Sequence, residues 1–208
     1  MNYVEYWNNV YQNKVKFVSN GNDADIPWDI KQPDPNLCEL FNFGNKQQGK
    51  VLEIGCGSGF DSKYLASLGF DVIAIDVSEE AIQIAKKHHG TNDVTFLNED
   101  FFYYEPSVKF DIIYDRGFLH NYKNEGKFIF EKLSHITNDC GKYIVMTGNP
   151  HQQKINTSVP SPVYISEMEY YSFDWFKIIL AKEITFNVIE GYENSLGYLF
   201  VFEKKNLS

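Results

Sequence analysis

The chain has 208 residues, 43% of them hydrophobic and 16% aromatic, which suits one α/β domain with a substantial core and excludes two full-sized ones. A formal charge of −9 gives a surface that repels phosphate backbones, so nucleic acid is not an expected partner. Cys38, Cys56 and Cys140 are too far apart for a metal pair or a disulfide framework, no apolar run reaches bilayer length, and Met1 to Lys14 lacks the basic start and apolar core of a signal peptide, so the expectation is a cytoplasmic protein with no membrane partner and no metal.

Residues 1–49 are rich in Asn, Asp, Pro and aromatic side chains and show no strand–helix rhythm. A helix is predicted over Tyr3–Tyr11, followed by a loop through Gly21-Asn22-Asp23-Ala24-Asp25 to Pro27-Trp28. The segment reads as a cap over a binding site rather than a separate domain. From Lys50 the pattern changes, and apolar runs alternate with amphipathic stretches. Strands are predicted at Lys50–Ile54, Asp71–Ile75, Val94–Leu97, Phe110–Tyr114 and Lys142–Thr147. Helices are predicted over Asp61–Leu68, over Ser78–His88 with Ser78 as N-cap, and over Asn124–Ile136, the last ending near Asn138 to Gly141. Ser166-Glu167-Met168-Glu169 reads as a capping box that opens a further helix ending near Trp175. Two last strand-like runs, Ile184–Ile189 and Leu196–Glu203, are joined by a link around Gly191–Ser195 that permits antiparallel neighbours but no parallel crossover.

Val51-Leu52-Glu53-Ile54-Gly55-Cys56-Gly57-Ser58-Gly59-Phe60 is the most informative stretch. An apolar strand ends in an acidic residue, and glycines at alternate positions then lead into a helix. Glycine removes the Cβ, so a ligand can press against bare backbone, and a helix start offers unpaired N–H groups. The dinucleotide pattern G-x-G-x-x-G would need glycine at position 60, where Phe stands. A second apolar run ends at Asp76, placed to accept hydrogen bonds from a ribose diol. Glycines and Asp76 together resemble the first two motifs of the class I S-adenosylmethionine-dependent methyltransferases.

That resemblance implies S-adenosylmethionine as cofactor, and an α/β fold: a Rossmann-like three-layer sandwich on a mostly parallel seven-stranded sheet closed by a C-terminal antiparallel hairpin. Residues 50–208 would form this domain and residues 1–49 its cap. The resemblance further implies that Glu53, Gly55, Cys56, Gly57 and Gly59 surround the methionine part, Asp76 the ribose hydroxyls and Val77 the adenine. Asp100 and Phe101, in Asn98-Glu99-Asp100-Phe101, match the residues that accept from the adenine amine and enclose the ring. Cys56 is expected to be a small tolerated residue, not a nucleophile, because no motif supplies a partner base.

Tyr114-Asp115-Arg116-Gly117-Phe118-Leu119-His120, with Pro27-Trp28-Asp29-Ile30 upstream, resembles small-molecule methyltransferases of the thiopurine S-methyltransferase and tellurite-resistance type. It implies that Asp115 faces both cofactor and acceptor and that Trp28, Tyr122 and Asn149 line the acceptor site. His120 is the candidate general base, or a cleft-wall side chain. Arg116 either positions an anionic acceptor or pairs with Asp115 or Glu99. Trp28 either presents its π face to a sulfonium or anchors the N-terminal loop. The expected activity is methyl transfer to a small thiol, hydroxyl, amine or metalloid; the alternative is a catalytically silent S-adenosylmethionine-binding module. Oligomeric state is not readable from the sequence.

Overall fold

The computed structural model describes residues 2–19, 22–42, 47–148, 163–190, 192 and 194–206. In chain order the elements are α1 (Tyr3–Tyr11), β1 (Phe17–Ser19), β2 (Asn22–Ala24), α2 (Pro35–Leu40), β3 (Lys50–Ile54), α3 (Phe60–Ser67), β4 (Asp71–Asp76), α4 (Glu79–His89), β5 (Val94–Asn98), β6 (Phe110–Arg116), α5 (Gly126–Ile136), β7 (Thr137–Gly148), α6 (Ile165–Ser172), β8 (Phe176–Phe186) and β9 (Ser195–Lys204). Short 3₁₀ turns at Leu119–Asn121 and Lys123–Glu125 lead into α5.

The long sheet has strand order β5-β4-β3-β6-β7-β9-β8. The pairs β4–β5, β3–β6 and β6–β7 are parallel, whereas β9 runs antiparallel to both β7 and β8. This is the expected mostly parallel seven-stranded sheet with an antiparallel C-terminal hairpin. The chain divides into two compact units.

The first unit holds Met1–Gln48, Gly55–Tyr104 and Asn187–Asn194. Its N-terminal helix forms for local reasons: Asn2 is the N-cap, its side chain accepting the Glu5 N–H at 2.8 Å. The helix is held by a small core in which buried Val10, Tyr11, Ile26 and Ala81 pack with Trp7, Val15, Phe17, Trp28 and Ile84. Ser78 caps α4 as expected, accepting the Ala81 N–H at 3.2 Å, with Glu79 and Glu80 in the positive first turn and basic residues in the last. Asp34 caps α2, and its backbone N–H donates to buried Asp61 at 2.6 Å, fastening the cap segment to the first turn of α3.

The second unit holds Gly49–Ile54, Glu105–Phe186 and Ser195–Ser208. Its core centres on fully buried Phe130 of α5, whose ring meets Tyr143 at 5.4 Å, Phe202 at 5.0 Å, Phe176 at 5.8 Å and Tyr171 at 6.3 Å.

Three expectations are corrected. The capping box of α6 lies two residues earlier: Tyr164 is the N-cap and the Glu167 carboxylate accepts its N–H at 2.7 Å. β7 begins at Thr137, not Lys142, because Phe110 pairs with Thr137 and Ile112 with Lys142, so the polar run Asn138–Gly141 is an irregularity inside a strand. Asp111 fixes that irregularity by accepting from Asn138 Nδ2 (2.7 Å) and the Lys50 N–H (2.8 Å). Finally, β8 spans Phe176–Phe186, earlier than the run Ile184–Ile189 expected as a strand.

Candidate active site

In the first unit the Asp76 carboxylate ends β4, with Oδ2 accepting the Gly57 N–H at 2.9 Å and Oδ1 the Ser78 N–H at 2.8 Å. Asp76 is 7% exposed, and burial lifts its pKa to about 6 although both N–H groups favour the ionised form. Each oxygen keeps a lone pair for a further donor. Asn98 ties the ends of β4 and β5 together, its Nδ2 donating to the carbonyls of Asp76 and Val77 at 3.0 Å each.

The glycine turn is hydrogen-bonded within the same unit. The N–H groups of Gly55 and Cys56 donate to the Ile75 carbonyl at 2.8 and 3.0 Å, and that of Gly59 to the Cys56 carbonyl at 2.9 Å. What the turn offers a ligand is therefore bare backbone. Gly57 has φ +52°, and a Cβ there would lie 2.6 Å from the Tyr11 hydroxyl. Gly59 has φ +80°, and a Cβ there would meet the Phe96 ring at 2.8 Å, so this glycine lets α3 start close against β5. Cys56 is buried and unoxidised, like the other two cysteines in carrying no disulfide.

The N-terminal helix touches each of these loops. Tyr3 donates to Asp100 Oδ2, and Ser78 Oγ donates to Asn8 Oδ1 at 3.0 Å. Tyr11 stands over Gly57, and the Trp28 indole bonds its hydroxyl. Burial, then the nearby Asp76 charge, push the Tyr11 phenol well above its ordinary value, so it stays protonated. Trp28 packs edge-on to Trp7 (5.9 Å) and Phe17 (5.2 Å). Beside it, Asp29 accepts the Ser58 hydroxyl at 2.6 Å and pairs with Lys31. Asp100 Oδ1 accepts the Phe102 N–H at 3.0 Å, and Phe101 is buried edge-on to Phe102. Expected cofactor residues 55–59, 76–77 and 100–101 thus share one unit with Trp28. A nucleoside with a diol and an amine fits this set: two carboxylates supply acceptors and the glycine turn supplies a surface without side chains.

The other expected residues belong to the second unit. Glu53 is buried near the end of β3, opposite Tyr114 in register, and Ile54 stands opposite Asp115. Fully buried Asp115 accepts from the Phe118 N–H (2.5 Å), the Leu119 N–H (2.9 Å) and the Tyr143 hydroxyl (2.9 Å). Burial outweighs these bonds and raises its pKa to about 7. Asp115 thereby shapes the turn that presents His120. The His120 ring is 8% exposed and edge-on to Phe186 at 6.1 Å, with its Cε1 3.1 Å from where a Cβ on Gly117 would lie. Its Nδ1 is one of three buried side-chain polar atoms without a partner among the described residues. Burial, then the Arg116 charge, lower its pKa to about 3. The Arg116 guanidinium lies over the Phe186 ring, 4.9 Å from its centroid. Tyr122 packs on Phe118 at 4.9 Å. Asn149 lies outside the described residues, as does most of the loop expected to help choose the acceptor. Among the described residues no group of His, Cys, Asp and Glu could hold a metal ion.

Asp29, Asn8, Tyr143 and Phe186 were not assigned a role from the sequence. Asp29 stood inside the quoted Pro27–Ile30 block and was overlooked. Phe186 carries no local signal, because only pairing of β8 brings it to Arg116.

A family model described as a methyltransferase domain matches residues 45–199. Among curated proteins, a probable thiol methyltransferase from Arabidopsis thaliana is 38% identical over 97 residues, covering 45% of this chain and 43% of its own length. A thiocyanate methyltransferase from Brassica oleracea is 34% identical with the same coverage. The chain therefore spans less than half the length of these relatives. A malonyl-[acyl-carrier protein] O-methyltransferase from Ilyobacter polytropus is 29% identical over 77% of this chain and 64% of its own. A solved structure from work on conversion of a disulfide bond into a thioacetal group during echinomycin biosynthesis superposes with a TM-score of 0.81, covering 99% of this chain and 94% of that one at 21% identity. A magnesium protoporphyrin IX methyltransferase from Synechocystis, solved with bound SAM, gives 0.65 over 82% of this chain and 76% of that one at 17% identity. With the family model spanning most of the chain and the expected sheet in place, this chain belongs to the methyltransferase-domain family.

Proposed function

We propose that the protein binds S-adenosylmethionine and transfers its methyl group to a small acceptor that arrives as a soft anion or an easily ionised thiol. The observation that carries the cofactor reading is Asp76: its carboxylate is held by the glycine turn it would share with the ligand. In this reading Asp76 receives the ribose hydroxyls, Asp100 the adenine amine, and the backbone of Gly55–Gly57 faces the methionine part. Residues 1–49 act as a cap on this cluster. When bound, the cofactor supplies an already activated methyl sulfonium.

The acceptor reading rests on the second unit. A histidine with a pKa near 3 is neutral at physiological pH and a poor base, so His120 acts as a hydrogen-bonding wall rather than a proton acceptor. Arg116, with one face covered by Phe186, holds a fixed positive charge suited to an anion. A thiol ionises near pH 8.5 and needs little help, unlike a hydroxyl. Thiol and thiocyanate acceptors, named for the plant relatives, suit this arrangement. The negative net charge argues against nucleic acid, and we assign the protein to the cytoplasm from its unpaired cysteines. No helix among the described residues is long and apolar enough to cross a membrane.

The test is a methyl-transfer screen across thiols, thiocyanate, phenols, amines and metalloid oxyanions. The expected result is turnover with thiols or thiocyanate. Their kcat/KM should follow ionisation of the acceptor: rising with pH up to the thiol pKa, flat from pH 6 to 9 for thiocyanate. His120→Gln should preserve that profile and lower kcat/KM by about tenfold or less. A profile tied to an enzyme group and abolished by His120→Gln would restore the general base. Binding without turnover of any acceptor would favour the silent module.

A further inference from the structure

The helix α1 is joined to the cofactor loops at both ends and in the middle, and its first residue lands on the carboxylate that would read the adenine. Asp100 has two oxygens. Oδ1 is fixed by the Phe102 N–H at 3.0 Å, and Oδ2 receives the Tyr3 hydroxyl. The two donors come from opposite sides in sequence, one from the turn that follows Asp100 and one from a helix 97 residues earlier. Tyr3 is itself held in place. Asn2 caps its helix, Asn8 is bonded to the Ser78 hydroxyl at 3.0 Å, and Val10 and Tyr11 are buried in the small core with Ile26 and Ala81.

We propose that Tyr3 is a positioning residue that makes the cofactor site selective for adenine by fixing the Asp100 carboxylate. This rests on the reading of Asp100 as the acceptor for the adenine amine. A carboxylate held by one donor can rotate about its last bond and accommodate different partners. Held by two, it presents one remaining lone-pair direction per oxygen, and every direction is an acceptor. An exocyclic amine donates to it. A keto oxygen at the same ring position, as in hypoxanthine, sets acceptor against acceptor, with no proton between them, and is rejected. Selectivity then comes from immobility as much as from charge. The Tyr3 hydroxyl supplies that immobility by donating its hydrogen to Asp100 Oδ2. A helix start is otherwise a poor place for such a contact, because terminal turns fray. The Asn2 cap and the buried far end of α1 counter this.

The experiment is calorimetric binding of S-adenosyl-L-homocysteine and its hypoxanthine counterpart, S-inosyl-L-homocysteine, to the wild type, Tyr3→Phe and Asn2→Ala. Tyr3→Phe keeps the ring and the helix and removes only the donor. The expected result is that the wild type prefers the adenosyl ligand and that Tyr3→Phe shrinks the preference roughly tenfold, a loss the size of one hydrogen bond to a charged group. Asn2→Ala, which loosens the helix start that holds Tyr3 but keeps the donor, should shrink the preference in the same direction and by less than Tyr3→Phe. An unchanged preference in Tyr3→Phe overturns the proposal, as does a preference that Asn2→Ala lowers further than Tyr3→Phe does. If the wild type binds neither ligand, the cofactor reading itself fails, an outcome separate from either of these.

Discussion

At the scale of single residues, Gly57 makes the clearest demand on the sequence. Its φ of +52° lies in the left-handed region, which costs a residue with a side chain about 1–2 kcal/mol. A Cβ there would also press on the Tyr11 hydroxyl at 2.6 Å. Gly57→Ala should therefore lower the melting temperature and weaken S-adenosyl-L-homocysteine binding by tenfold or more. Adding Tyr11→Phe should recover part of the affinity by removing the clashing oxygen, although the backbone strain stays. No recovery in the double variant would mean that strain alone is responsible. The glycines, Asp76 and Asp100 were legible because motif residues at strand ends are local in sequence. Tyr3–Asp100 and Asp29–Ser58 were not, since each joins segments that nothing in the local pattern connects.

At the scale of elements, legibility followed burial. β3, with burial from its second residue onward, matched its predicted span, and β4 and β5 each extended one residue further. β8 failed to announce itself because it is an edge strand. Most of its first eight residues are exposed, its ladder has a register shift between Ile178 and Leu180, and Lys177 and Lys182 interrupt any apolar run. β7 was misjudged at its start because Asn-Asp-Cys-Gly has turn composition, and the chain uses it as an irregularity stapled by Asp111. α5 shows the opposite case: its apolar face, with Ile129, Phe130 and Leu133 buried, was visible as a helix period. Phe130 is the ring on which α5, β7, β9 and the start of β8 converge, so Phe130→Ala should cost about 3–5 kcal/mol in urea unfolding. A loss below about 1 kcal/mol would contradict this picture of the second unit's core.

At the scale of the whole molecule, the proposed cofactor residues and the proposed acceptor residues belong to different compact units. One carries the glycine turn, Asp76, Asp100 and the N-terminal helix; the other carries Asp115, Arg116 and His120. The fold class was legible because the alternation of strands and helices and the short final link leave few topologies. The surroundings of His120 were not, because its burial and the Arg116–Phe186 contact arise only when β8 pairs into the sheet. If Asp76 receives the ribose hydroxyls as proposed, S-adenosyl-L-homocysteine binding requires its ionised form, and a pKa of about 6 in the free protein makes protonation a competitor. Affinity is complete well above pH 6 and declines as pH falls through it. The most direct measurement is calorimetric titration of that ligand into the wild type and Asp76→Ala at pH 7.5 and pH 5. The account predicts clear binding by the wild type at pH 7.5, weaker binding at pH 5, and a loss of roughly 30-fold or more in Asp76→Ala, the effect of about 2 kcal/mol from a charged acceptor. Absence of binding by the wild type, or equal binding by Asp76→Ala, would contradict it.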